Sequence, residues 1–178
     1  MNRSQHNAQA TACPGAPGLP ETGWILARVW LGALEETARD FHGNWPKIFL
    51  DRAYEHATAT WIGLLEHEYD FLFPRGGSMI EALRGYVEIG LKAGLFRDAS
   101  DFRLKEVSPN KIEITIYRDI YSETYRALRI PGQSVREMTN ARLGAFRAAV
   151  KLLAGIDCDY EITAIHPDGV VEGFIERL

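Results

Sequence analysis

The stretch that decides the fold is Ser134–Leu178, SVREMTNARLGAFRAAVKLLAGIDCDYEITAIHPDGVVEGFIERL. It opens with a Ser-x-x-Glu capping box and continues with apolar residues at helical spacing, which predicts a helix over Ser134–Ala154. Gly155 is expected to end that helix, because glycine is the common residue just past a helix end. Two runs of alternating apolar and polar residues follow and predict strands at Asp157–Thr163 and Val170–Ile175. A helix followed by a hairpin is therefore the predicted C-terminal unit.

The residues before this stretch predict three helices and a second hairpin. Apolar spacing predicts helices from just after Thr22 to Gly43, from Trp45 to Glu68 behind an Asn44 N-cap, and from the Ser78 capping box to Gly94. The repeat of apolar residues then changes from every 3.6 positions to every second position. This change predicts strands at Phe102–Val107 and Ile112–Tyr117 around the turn Ser108–Lys111. The segment 119–130 has no clear pattern. This order predicts an α+β fold, in which a helical N-terminal half packs on a small antiparallel sheet.

The first helix is expected to be amphipathic. Its core face is predicted to carry Ile25, Val29, Leu31 and Leu34, and its solvent face Arg28, Glu35 and Arg39. The preceding residues 1–20 are small and polar and contain three prolines, so we expect a disordered tail there. The remaining residues, 21–178, are expected to form a single domain.

Composition limits the classes of partner. The net charge is −4 and the basic residues are scattered, which argues against a nucleic-acid partner. No apolar run is long enough for a membrane span, and the N-terminus lacks the pattern of a secretory signal. Cys13 and Cys158 suggest neither a disulfide framework nor a thiolate metal site. We therefore expect a reduced, cytoplasmic protein without a membrane partner.

The long C-terminal helix carries an unusual number of small residues. Its apolar stripe, which includes Phe146 and Leu153, is expected to pack on the sheet. Gly144, Ala145 and Ala148 would let another backbone or a flat ligand approach closely. Ordinary helix packing, a dimer interface and a pocket wall are all compatible with this cluster.

The candidate catalytic residues are weak. His56 and His67 lie eleven positions apart on one predicted helix, about 16 Å along its axis, which is too far to share one ion. Sequence motifs for nucleophilic catalysis and phosphate binding are absent. His56 and the adjacent Glu55 remain the only candidates for acid–base chemistry, and no metal site is predicted.

Aromatic residues are a stronger signal. Trp30, Tyr54, Trp61 and Tyr86 lie on predicted helices, and Tyr117 and Tyr121 lie near the end of the second strand. If several of them face the sheet together, they can line a mainly apolar pocket with a few hydrogen-bonding groups. The alternative is that they are ordinary core aromatics.

A further set of positions carries a family resemblance. They are Leu143-Gly144-Ala145-Phe146, Leu152-Leu153-Ala154-Gly155, Tyr160-Glu161, Gly169 and Glu172-x-Phe174. This pattern resembles the 4-vinyl reductase domain, which also forms the sensory part of aromatic-responsive transcription activators. The wider superfamily includes haem nitric-oxide-binding sensors and subunits of a vesicle-tethering complex. The resemblance covers Ser78–Leu178 and implies a usually dimeric α+β domain that holds a small hydrophobic molecule between helices and sheet.

The sequence departs from that family at the cofactor positions. Relatives hold zinc with three cysteines and a glutamate; Glu161 matches the glutamate, but Ala164, Glu172 and Met138 replace the cysteines. The helix after Ser78 has no axial histidine for haem, and the segment 117–121 lacks the Tyr-x-Ser-x-Arg clasp. We therefore predict no cofactor. The resemblance also implies that Tyr117 faces the ligand.

These observations lead to one main hypothesis and two alternatives. The main hypothesis is a sensor or carrier domain for a hydrophobic or aromatic small molecule, with a homodimer as the expected assembly. Its candidate ligand-binding residues are Tyr54, Trp61, Tyr86, Tyr117 and Met138. The alternatives are an enzyme on the same scaffold, such as a small-ring hydrolase or a tetrapyrrole or secondary-metabolite enzyme, and a dimeric interaction protein without a ligand.

Overall fold

The computed structural model describes residues 19–43, 46–119, 121 and 134–178. Residues 1–18 of the expected tail, the expected Asn44 cap, Trp45 and most of the segment 119–130 lie outside those ranges. The described residues confirm the α+β class. Every helix among them is too short or too polar to span a lipid bilayer.

Four α-helices occur in the described residues: α1 (Leu19–His42), α2 (Lys47–Glu68), α3 (Met79–Lys92) and α4 (Ala141–Ala154). The capping box before α3 is confirmed. The Ser78 hydroxyl accepts a hydrogen bond from the Glu81 amide, and the Glu81 carboxylate accepts one from the Ser78 amide at 2.7 Å. Gly155 ends α4 in the left-handed conformation, with a φ of 68°, which glycine adopts at little cost.

One sheet is formed by β1 (Phe102–Ser108), β2 (Lys111–Ile116), β3 (Cys158–Ile165) and β4 (Val171–Arg177), in the order β1-β2-β4-β3. All neighbouring strands are antiparallel, so the two predicted hairpins lie side by side. Alternate residues of β2, from Ile112 to Ile116, are buried toward the helices, as the period of two predicts.

The core lies between this sheet and helices α3 and α4. Leu143 and Phe146 of α4 are fully buried against the sheet. A Cβ atom at Gly173 of β4 would lie 2.8 Å from Leu143 Cδ1 and 2.5 Å from the Glu161 carbonyl oxygen. Only glycine therefore lets α4 cross the sheet this closely.

The predicted start of the long helix at Ser134 is wrong. The capping box at Ser134 forms, but it holds a single 3₁₀ turn over Val135–Glu137. The chain is then extended at Met138, and α4 begins only after Asn140, whose side chain accepts a hydrogen bond from the Leu143 amide at 2.9 Å. The cap at Asn140 therefore starts α4, and the extended segment between the two caps carries Met138 into the core.

The predicted faces of α1 are also wrong in part. Glu35, expected in solvent, is only 1% exposed, whereas Ile25 and Val29 are exposed. Glu35 is tolerated in the interior because its carboxylate accepts hydrogen bonds from two side chains. Helical periodicity could not predict those partners, since both lie on other segments.

The small-residue cluster of α4 is explained by helix packing. Gly144 and Ala148 are buried where α2 packs on α4. A Cβ atom at Gly144 would lie 2.2 Å from Cδ2 of Tyr54 on α2. Ala145, one residue further along, lines an open groove instead. Ala148 is fully buried in this helix contact, so its side chain is not on the surface of the chain.

Candidate functional site

A groove with a volume of about 510 Å³ opens where α1, α2 and α4 meet. Tyr86 of α3 closes its inner end. Fifteen described residues line it: Ala27, Trp30, Leu31, Leu34, Ala53, Tyr54, Ala57, Thr58, Trp61, Tyr86, Leu95, Tyr121, Ala141, Arg142 and Ala145. All but one of these are uncharged, so the groove suits a mainly apolar occupant.

Alanines create the space in the groove. Ala53 and Ala57 lie one turn apart on α2, and Ala141 and Ala145 lie one turn apart on α4. Residues at this spacing share one face of a helix, so each helix presents two methyl groups to the groove. Longer side chains at these positions would take up space in the groove.

Aromatic rings form the walls. Trp30 is 69% exposed at the mouth, Trp61 is half-buried, and Tyr86 is buried at the inner end. Burial raises the pKa of the Tyr86 phenol to about 12, outweighing the nearby charge of Arg142 and the hydrogen bond with Thr58. At neutral pH Tyr86 is therefore an uncharged group at the end of an apolar wall.

The Trp61 indole leaves one polar atom unsatisfied. Its Nε1 atom is buried and has no acceptor within hydrogen-bonding distance among the described residues. A buried donor without an acceptor costs roughly 1–3 kcal/mol. A ligand oxygen or an ordered water at this wall would remove that cost.

A buried hydrogen-bond network holds Tyr54 in place. The Tyr54 hydroxyl donates to Glu35 at 2.6 Å, and the Thr139 hydroxyl donates to the same carboxylate at 2.8 Å. Burial raises the pKa of Glu35, while the two hydroxyl groups and the charge of Arg39 act in the opposite direction. Because α1, α2 and the segment before α4 each contribute a member, this network fixes the geometry of the groove.

Arg142 is the charged member of the described groove lining. Its guanidinium carbon lies 4.8 Å from the ring centroid of Phe96 and 5.7 Å from that of Tyr121. These contacts are cation–π interactions, which attract a positive charge to the face of a ring. The groove thus combines a long apolar wall with one positive charge.

The structure brings together three of the five predicted ligand-binding residues. Tyr54, Trp61 and Tyr86 all line the groove. Tyr117, expected to face the ligand, follows β2 on its outer side, is 41% exposed and does not line the groove. Met138 is buried in the main core and does not line it either.

The two catalytic candidates do not share the groove. The Glu55 carboxylate forms ion pairs with Arg52, Arg147 and Lys151, at 2.6, 3.4 and 3.3 Å. Burial acts to raise the pKa of Glu55, but these neighbours outweigh it and lower the pKa. His56 is exposed. Neither residue lines the groove, and Glu55 instead lines a separate cavity with Arg147 and Cys158.

Metal-binding chemistry finds little support in the described ranges. His, Cys, Asp and Glu side chains there do not form a group of three or more that could hold a metal ion. Glu161 is instead paired with Arg136 at 3.1 Å, and Glu172 lies 3.7 Å from His166. The described groove lining contains no His, Cys or Met side chain.

Sequence reasoning missed two groups at this site. The sequence predicts Glu35 on the solvent face of α1, and no pattern singles out Arg142. The alanine pairs were a usable signal, because Ala53/Ala57 and Ala141/Ala145 repeat a small side chain at i, i+4 on two helices.

Comparison with known proteins gives a likeness in structure and none in sequence. No family model matches the chain, and no curated protein matches it in sequence. A solved structure from a study of heme distortion in the H-NOX family matches with 14% identity and a TM-score of 0.43. The match covers 78% of this chain and 65% of that structure, so the chain spans just under two thirds of its length.

Proposed function

We propose that this chain binds a small, mainly apolar molecule in the groove between α1, α2 and α4. The observation that supports this most strongly is the groove itself, about 510 Å³ in volume and lined by Trp30, Trp61, Tyr86 and several alanines. Ligand pockets in proteins typically have volumes of roughly 300–1,000 Å³ and combine apolar walls with few polar groups. A sensor or carrier domain needs such a site.

The shape of the walls favours a flat or narrow ligand. The alanine methyl groups on α2 and α4 line the groove and leave room for a flat or narrow body, and Trp61 lines the same groove. An aromatic ring or an alkyl chain would bury its surface against these groups. Each buried methylene contributes about 0.8 kcal/mol.

A thermal-shift screen tests the proposal. A ligand at about 100 times its Kd stabilises the folded protein by about 2.7 kcal/mol. For a domain of this size that corresponds to a rise in Tm of roughly 5–10 °C. Small aromatic compounds and medium-chain alkyl compounds are the probes, and Trp30 and Trp61 should report binding through their fluorescence.

A pair of matched variants locates the binding site. Ala57→Leu places a larger side chain in the groove, whereas Ala59→Leu places the same side chain on the exposed surface of the same helix, away from the lining. We expect Ala57→Leu to abolish the ligand-induced rise in Tm and Ala59→Leu to preserve it. If neither probe class raises the Tm of the wild-type chain, or if both variants bind equally well, the proposal is wrong.

We also propose that the chain forms a homodimer, on a separate observation. Ile25, Leu26 and Val29 (61% exposed) form an apolar patch on α1. Exposed patches of this kind are common at interfaces between proteins. Light scattering after size-exclusion chromatography tests this proposal. Val29→Glu should give a monomer. The control Val107→Glu changes an exposed valine on β1 and should remain a dimer. A wild-type monomer would rule out this assembly.

A further inference from the structure

Arg142 lies between two cavities of the structure. It lines the groove of about 510 Å³ and also a smaller cavity of about 240 Å³ between the α3–β1 connection, β1 and α4. Leu95 is the other residue that lines both cavities. A molecule in the groove would therefore lie within reach of Arg142.

The guanidinium of Arg142 has no hydrogen-bond acceptor or ion-pair partner among the residues that the structure describes. Asp119 is the nearby acid, but its two carboxylate oxygens accept hydrogen bonds from the Asn140 side chain at 2.8 Å and from the Tyr121 amide at 3.2 Å. The Asp119 carboxylate and the Arg142 guanidinium interact electrostatically but form no ion pair. The positive charge is thus only partly balanced.

The acids of the smaller cavity are also engaged elsewhere. Asp101 is paired with the guanidinium of Arg118. Asp98 accepts a hydrogen bond from the Ser100 amide at 2.8 Å. Neither carboxylate therefore satisfies Arg142.

Stacking holds the guanidinium while leaving its donors available. Phe96 and Tyr121 attract the charge through their ring faces. The N–H donors of arginine lie in the plane of the guanidinium and form a fork that matches a carboxylate in a bidentate pair. Arg142 is therefore positioned by aromatic contacts but has unused hydrogen-bonding capacity.

We infer that the ligand of the groove is an amphipathic monocarboxylate, with its acidic group bound by Arg142 and its apolar body along the alanine side chains of α2 and α4. This inference rests on the proposed function of the groove. A monoanion is favoured over a phosphate dianion because Arg142 is the one cation among the described residues that line the groove, and Asp119 already lies near it. The apolar body would contact Trp61 and the alanines of α2.

Two pairs of probes that differ in charge test this inference by calorimetry. The pairs are 2-naphthoate with 2-naphthylmethanol and octanoate with octan-1-ol. We expect the wild-type chain to bind at least one acid about tenfold more tightly than its alcohol, since a hydrogen-bonded charge pair is worth about one tenfold step or more. Arg142→Gln should remove that advantage and leave the affinity for the alcohol within about twofold.

Matched variants complete the test. Arg84→Gln makes the same change in net charge on the exposed face of α3, away from the groove, and should change neither affinity. Arg142→Lys keeps the positive charge but lacks the bidentate pair of N–H donors, so it should bind the acid with intermediate affinity. The same variant tests the inference if Arg142→Gln does not fold. The role of Arg142 is overturned if the wild-type chain binds acid and alcohol with equal affinity. It is also overturned if Arg142→Gln and Arg142→Lys both bind the acid as tightly as the wild type does. Either result leaves the proposal that the groove binds a ligand intact. If none of the four probes binds, the groove proposal itself fails.

Discussion

Replacing Gly144 with alanine tests how closely α2 and α4 pack beneath the groove. The added Cβ atom would lie 2.2 Å from Tyr54 Cδ2, and ordinary contact begins at 3.4 Å, so the ring would have to move by about 1.2 Å. Tyr54 cannot move freely, because its hydroxyl is held by Glu35 at 2.6 Å. The substitution therefore strains the helix contact, the hydrogen bond, or both.

Two opposing effects set the size of the change. Alanine is favoured over glycine in a helix by about 0.8–1 kcal/mol. Overpacking a buried contact costs about 1–3 kcal/mol, and loss of a hydrogen bond to a charged group costs about 1.5–3 kcal/mol. We expect the free energy of unfolding of Gly144→Ala to be about 1–3 kcal/mol below that of the wild type.

Urea unfolding followed by far-UV circular dichroism measures this difference. Gly63→Ala is the matched control, because Gly63 lies inside α2 and a Cβ atom there would meet no atom within 4 Å. That control should be stabilised by up to about 1 kcal/mol. In a Tyr54→Ala background the cost of Gly144→Ala should largely disappear. If Gly144→Ala stabilises the chain as much as Gly63→Ala does, the close approach of α4 to Tyr54 is refuted.

Three further outcomes are expected. Burial raises the pKa of Glu35 above its usual 4.5, so its contribution to stability is present at lower pH and is lost as the pH rises through the folded-state pKa. Urea unfolding at several pH values measures the free energy of unfolding of Glu35→Gln and of the wild type. As the pH rises, the wild type should lose stability relative to the variant. A difference that does not change with pH would contradict this. Burial also raises the pKa of the Cys158 thiol to about 11. In a Cys13→Ser background, iodoacetamide should therefore react far more slowly with the folded chain than with the unfolded chain at neutral pH. Equal rates would show an accessible thiolate. Ser78→Ala should lower the free energy of unfolding by about 1 kcal/mol through loss of the α3 cap, and an unchanged urea midpoint would contradict the capping geometry.

Local patterns predicted most of the elements. The strands of both hairpins and the start of α3 depend on spacings of two to four residues, which are present in the sequence itself. The start of α4 was not predictable in this way. Two caps compete there, at Ser134 and Asn140, and the second one forms the helix while Asn140 also donates to Asp119.

The site was predictable only as a set of candidate residues. Tyr54, Trp61 and Tyr86 could be placed on helices, but their convergence depends on how α2 and α3 pack against α4. Tyr117 shows a limit of the family resemblance. It follows the inward-facing Ile116 directly, so the period-two alternation of the strand places it on the opposite side of the sheet.

The amino-acid sequence by itself determined the order of helices and strands, the α+β class and the capping of α3, because these depend on neighbours a few residues apart. Only the tertiary structure decided that Glu35 is buried, that Tyr54 is fixed and that Arg142 faces an apolar groove. Glu35 and Thr139 are 104 positions apart, and their hydrogen bond exists only once α1 packs beside the segment before α4. Burial and pairing of this kind depend on which distant segments meet, and that information lies in the packing of the whole chain.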